Sequence, residues 1–138
     1  MKKLVLLLFV SFIAISCSVD DNESKYYYDF LPVESFEVPE SFDFGKVYTI
    51  SIFFKRPNNC HASQTLYFEK KDSTRIIAVQ SLVLDKNNCT ALPDEEPKQG
   101  TFQFEVVNTS SYIFKFYKGK DDNGEDVFEE VIIPVNNQ

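Results

Sequence analysis

Along most of this 138-residue chain the apolar side chains recur at every second position, and no segment holds a 3.6-residue period. In Lys46–Lys55, Tyr48, Ile50, Ile52 and Phe54 alternate with Thr49 and Ser51. In Thr101–Val107, Phe102, Phe104 and Val106 fall on one face, with Thr101, Gln103 and Glu105 on the other. Tyr112, Phe114 and Phe116 repeat the pattern in Ser111–Lys118. A two-residue period is the periodicity of a β-strand with one buried face, so the chain is expected to be all-β and antiparallel. Phe and Tyr supply 21 of the residues, which suits that reading.

Seven strands are predicted: 33–38, 46–55, 64–71, 74–85, 101–107, 111–118 and 126–135. The first is flanked by Pro32 and Pro39 and is placed at a sheet edge. The fourth is the longest and is expected to bend or change sheets. Seven short strands with turns between them fit a single β-sandwich of immunoglobulin-like arrangement, with a jelly roll or small barrel as the alternative. Tyr112, at the start of the sixth strand and two residues before Phe114, resembles a tyrosine corner, whose hydroxyl ties down the preceding connection. The Cys pair between sheets and the Trp of antibody domains have no counterpart here.

The amino-terminal stretch imposes a different constraint. Lys2 and Lys3 precede a run, Leu4–Ile15, that is apolar apart from Ser11. The run is shorter than the ~20 residues that span a bilayer, but has the length of a signal-peptide core. Ala14, Ile15, Ser16 and Cys17 resemble a bacterial lipobox. That resemblance implies cleavage after Ser16 and lipid on Cys17. The sequence therefore divides into a leader (1–16), a lipidated Cys and polar tether (17–31), and a domain (32–138). Each buried methylene adds about 0.8 kcal/mol, and one acyl chain holds only marginally, so several chains make a stable anchor. Asp20, Asp21 and Glu23 follow at once. Acidic residues in that place resemble the surface-export signal of Bacteroidota lipoproteins and imply the outer membrane, facing outward. The periplasmic face is the alternative.

The formal net charge of −7 becomes −9 when residues 1–16, with two Lys and no acid, are removed. An acidic chain without a basic cluster is not expected to bind nucleic acid. With Cys17 lipidated, Cys60 and Cys89 remain. In an oxidising compartment they are expected to form a disulfide. The segments "RPNNCH", "STRIIAVQSLVLDKNNCTAL" and "YIFKFYKGKDDNGEDVFEEVIIPV" resemble a group of uncharacterised flavobacterial lipoproteins. The resemblance implies a β-sandwich on a lipid anchor and carries no activity.

Candidate chemistry is sparse. His61 is the single histidine and is read as a solvated loop residue, which argues against an enzyme. Within residues 119–130, Asp121, Asn123 and Glu130 occupy positions 3, 5 and 12 of a calcium-loop register, but Gly119 stands where an acid is needed. The preferred reading is a hairpin turn at Asn123-Gly124, with positive φ at both residues. Tyr26, Tyr27 and Tyr28 either pack against the domain as the tether ends or form a stacking platform for sugar rings. No cofactor is implied. The expected role is a non-catalytic, lipid-anchored envelope module that binds a protein or serves structurally. A glycan-binding accessory lipoprotein of a polysaccharide-uptake system is the alternative.

Overall fold

The structure, a computed structural model, describes residues 25–136. The leader, Cys17 and the acidic step lie outside the described residues. Among those described, ten strands form: β1 (Tyr26–Leu31), β2 (Ser35–Glu37), β3 (Phe42–Asp43), β4 (Val47–Phe54), β5 (His61–Lys71), β6 (Thr74–Leu84), β7 (Lys98–Glu105), β8 (Tyr112–Lys120), β9 (Asp126–Ile133) and β10 (Val135–Asn136). The all-β sandwich expected from the period-two pattern is present. The seven expected strands all appear with shifted ends; β1, β3 and β10 are additional.

One layer is a five-stranded sheet in which β6 pairs with β5 on one side, and with β1 and β8 on the other. The opposing layer is β2-β4-β7, and β3 with β10 closes one end. Most pairings are antiparallel, as expected. Two are not: β6 runs parallel to β8 over Thr74–Ile77, and β10 runs parallel to β3. The β5–β6 hairpin causes the first. It lays its second strand, rather than its first, against β8. In an immunoglobulin-like order an antiparallel neighbour would stand there. The long strand expected to bend stays continuous and instead changes partner, from β8 at Thr74–Ile77 to β1 at Val79–Leu84.

Tyr26–Leu31, expected as the end of a tether, is an integral strand of the larger sheet. Pro32 follows, and the chain then changes layers within two residues. Val33 N donates to Tyr117 O at 2.7 Å in one sheet, and Glu34 N donates to Phe53 O at 2.8 Å in the other. Proline lacks the N–H that would continue the β1 ladder, so it suits a strand end at a crossover. Pro134 does the same between β9 and β10, and its carbonyl accepts from Phe42 N at 2.9 Å.

The core follows the alternation. Ile50, Ile52 and Phe54 of β4 and Phe104 of β7 face Ile77 and Val79 of β6 and Tyr112, Phe114 and Phe116 of β8. Phe36 stacks on Phe116 at 3.8 Å between ring centres, joining the two layers. Phe42, outside every expected strand, is fully buried among Tyr48, Phe104, Tyr112 and Phe114. Burying a ring of this size contributes roughly 1.5–3 kcal/mol.

The tyrosine corner is present. The Tyr112 hydroxyl accepts Val107 N at 3.0 Å and Asn108 N at 2.8 Å, closing the connection from β7. Arg75 was not singled out by the sequence. It is 2% exposed, donates to the carbonyls of Asp72 and Thr74, and stacks its guanidinium on Tyr112 at 4.9 Å. Burial holds its pKa below the ordinary guanidinium value. The left-handed φ of Asp72 (52°) turns the β5–β6 hairpin so that these carbonyls meet the guanidinium.

Tyr112→Phe is expected to lower stability by about 1–3 kcal/mol, because two backbone N–H groups lose their acceptor. Urea unfolding would show a lower midpoint at unchanged slope.

Candidate functional site

Cys60 and Cys89 form the expected disulfide, with Cα atoms 5.5 Å apart. Each sits in a turn at one end of the sandwich. The two segments are also knitted by backbone bonds: Asn59 N to Thr90 O and Leu92 N to Pro57 O, both at 3.0 Å. Arg56 adds a fork: its Nε and Nη2 donate to Glu95 Oε1, and its backbone N donates to Oε2 at 2.7 Å. This hydrogen-bonded contact holds the Glu95 carboxyl below the usual range.

His61 is not a solvated loop residue. It is 4% exposed and begins β5. A bulge between His61 and Ser63 gives Ala62 no partner and turns His61 inward. Its Nδ1 lies 3.0 Å from Asn58 Oδ1, which also accepts Cys60 N, so Nδ1 carries the proton. Nε2 is buried with no hydrogen-bond partner among the described residues, 3.9 Å from Asp29 Oδ2.

The three residues of the calcium-loop register are not brought together. Asp121 Oδ1 accepts Asn123 N at 2.8 Å and Glu125 N at 2.9 Å, and these bonds hold its pKa below the usual carboxylate range. Glu130 lies down β9, paired with Lys115. Among the described residues no group of three or more His, Cys, Asp or Glu side chains is placed to hold a metal ion. The segment is a turn, but not of the kind expected. Gly124 N donates to Asp121 O at 3.0 Å, and Gly124 has φ +82° while Asn123 stays in the negative range. The Asp121 side chain captures two N–H groups and so favours a type I turn with Gly at its fourth position. Gly119, φ +106°, sits in a bulge of β8 instead.

The three tyrosines do not form one platform. Strand alternation sends Tyr26 and Tyr28, 60% and 62% exposed, to the outer face of the larger sheet. Tyr27, 54% exposed, points the other way. None of the three packs into the core. On the outer face, Tyr28 is followed by Phe30, and Phe30 begins an aromatic strip that runs across the strands. Phe30 meets Tyr67 of β5 at 5.0 Å and Tyr117 of β8 at 6.1 Å; Tyr117 meets Phe128 of β9 at 5.8 Å. Ala78, opposite Tyr67 in the β5–β6 ladder, is small enough to let the Phe30 and Tyr67 rings close over β6.

Two depressions open on this face. One, about 260 Å³, has Ala78 and Ile76 within it, the four rings around it, and Glu69 and Asp126 at its rim. The other, about 340 Å³, is lined by Tyr28, Leu82, Ser63, Thr65 and Gln80. Tyr67 donates its hydroxyl to Glu69 Oε2 at 2.9 Å, and this bond raises the phenol pKa. Burial, then Asp126, raises that of Tyr117. Asp126 in turn takes a 2.6 Å bond from Lys120 and raises the lysine pKa.

Phe30, Tyr67, Tyr117 and Phe128 were missed because the alternation marks only the core side of a strand. A signal did exist: in "TRIIAVQSLVLD" the positions between the core residues are also apolar, at Ile76, Ala78, Leu82 and Leu84.

Removing the disulfide by Cys60→Ala with Cys89→Ala is expected to cost about 3–4 kcal/mol for the loop of 29 residues, measured by urea denaturation. Glu95 has a pKa lowered by folding, so its contribution is complete above the unfolded carboxyl pKa of ~4.3 and is lost as pH falls through the folded value. In acid titration Glu95→Gln should flatten this part of the stability profile; an unchanged slope would remove the Arg56 contact from the account.

Set beside known proteins, the chain matches no family model, and no curated protein or solved structure is significantly similar to it.

Proposed function

We propose that this chain is a lipid-anchored, non-catalytic binding module of the outer membrane, displayed at the cell surface in the manner of a Bacteroidota lipoprotein. One observation carries the binding role: the outer face of the five-stranded sheet exposes a contiguous aromatic and apolar surface with two depressions. A sandwich needs one apolar face per sheet. A second one, left open to water, costs solubility and is a mark of recognition surfaces.

The anchor rests on the leader pattern and on Cys17. Cys17 stands eight residues before Lys25, where the described chain begins. At ~3.3–3.6 Å per residue the tether reaches at most about 30 Å. The Tyr26 end of β1 is therefore the membrane-proximal end, and the binding face starts where the tether stops. The mature chain, at −9 without the leader, is repelled by anionic headgroups, so the acyl chains do the holding.

The non-catalytic reading is supported by His61. Its ring is enclosed between Asn58 and Asp29, on the opposite side of the sheet from the depressions.

Mass spectrometry of the native protein should find Cys17 as the first residue, carrying a diacylglyceryl group and an acylated amine. Cys17→Ala should move the protein out of the membrane fraction. Proteinase treatment of whole cells should digest the wild-type domain. An unmodified Cys17 sulfur would overturn the anchor, and a domain resistant on whole cells but digested in lysates would overturn the outward orientation.

A further inference from the structure

We infer that the two depressions on the outer face form one continuous site for a neutral oligosaccharide lying along β6. The inference rests on the reading of this face as the binding surface and adds the chemical class of its ligand.

The geometry selects among ligand classes. The side chains around the first depression that carry charge are Glu69 and Asp126, and none around the second does. Among the described residues no lysine or arginine lines either one, and Lys120 beside the rim is already paired with Asp126, so a phosphate, sulfate or uronate would meet carboxylates first. A second copy of the chain would bring another strongly acidic domain to an acidic rim.

A neutral sugar fits both halves of the surface. Its C–H face is apolar and weakly positive, and packs on the electron-rich faces of aromatic rings. Its hydroxyls each need a donor and an acceptor. Gln80, Thr65 and Ser63 supply an amide and two hydroxyls whose side chains bond to no other described residue. Glu69 spends Oε2 on Tyr67 and keeps Oε1 for a ligand. These groups sit beside the rings, not among them: Gln80 lies between Phe30 of β1 and Thr65 of β5 in the two ladders. That row separates the depressions, one around Ala78 and the other around Leu82. Four residues of strand are about 13 Å, which suits a chain of linked rings better than one monosaccharide. The surface is already assembled, since neighbouring strands hold the rings and no loop has to close over the ligand.

The test is affinity electrophoresis of the full-length mature lipoprotein in detergent, through gels containing glycogen, yeast α-mannan, xylan, laminarin or hydroxyethyl cellulose. Polygalacturonate serves as the acidic comparison. At least one neutral polymer should retard the protein, and polygalacturonate should not. Phe30→Ala and Tyr67→Ala should each weaken retardation about tenfold or more. Gln80→Ala, which leaves every ring in place, should weaken it about three- to tenfold. Thr101→Ala, exposed on the opposite sheet, should leave it unchanged. Thermal melts establish that each variant is folded. Retardation by none of the neutral polymers, or retardation that survives all three face variants, overturns the inference. So does a dimer in sedimentation that Phe30→Ala dissolves, because the face would then be covered by a second copy. These failures leave the lipid on Cys17, read independently by mass spectrometry, untouched.

Discussion

The structure depends on β6 and on the demands made of its backbone. This one strand of eleven residues bonds to β5 along one edge, and divides the other edge between β8 and β1. A buried strand must have its N–H and C=O groups satisfied on both edges. Two short partners end to end, one parallel and one antiparallel, achieve that here. The division explains why β1 belongs to the domain. Without Tyr26–Leu31 the carboxyl-terminal half of β6 would be an open edge, with Val79, Ser81 and Val83 near it.

The same strand separates core from binding face. Its inward positions Ile77 and Val79 meet the opposing sheet and Val83 is buried beyond them, while Ile76, Ala78 and Leu82 look outward. Arg75 ends the inward row. Its charge is accommodated by two carbonyls and the Tyr112 ring rather than by a carboxylate. Tyr112 therefore links three regions: its hydroxyl holds the β7–β8 connection, its ring packs in the core, and its face supports Arg75. The two ends of the sandwich are tied by different means, a disulfide with the Arg56–Glu95 fork at one and the parallel β3–β10 pair at the other.

Much of the fold was legible in the residues. Alternation in β4, β7 and β8 assigned the inward side chains correctly, and Tyr112 announced its own hydrogen bonds through its position. The Asn-Asn-Cys segments marked the disulfide ends. Legibility failed where partners, not propensities, decide. His61 reads as a loop residue until a bulge turns it inward. Phe42 reads as part of a connection until four rings surround it. Asn123-Gly124 reads as a mirror-image turn until the Asp121 carboxylate claims the amides.

By itself the sequence determined that the chain forms strands, which side chains of most of them turn inward, and that Cys60 and Cys89 are available to pair. These follow from local rules: the two-residue period of a pleated backbone and the chemistry of thiols. Only the tertiary structure decided that Phe30 of β1, Tyr67 of β5 and the Tyr117–Phe128 pair of the β8–β9 hairpin share one surface. Strand order and register place them together, and both are set by long-range hydrogen bonds and packing that no single segment contains.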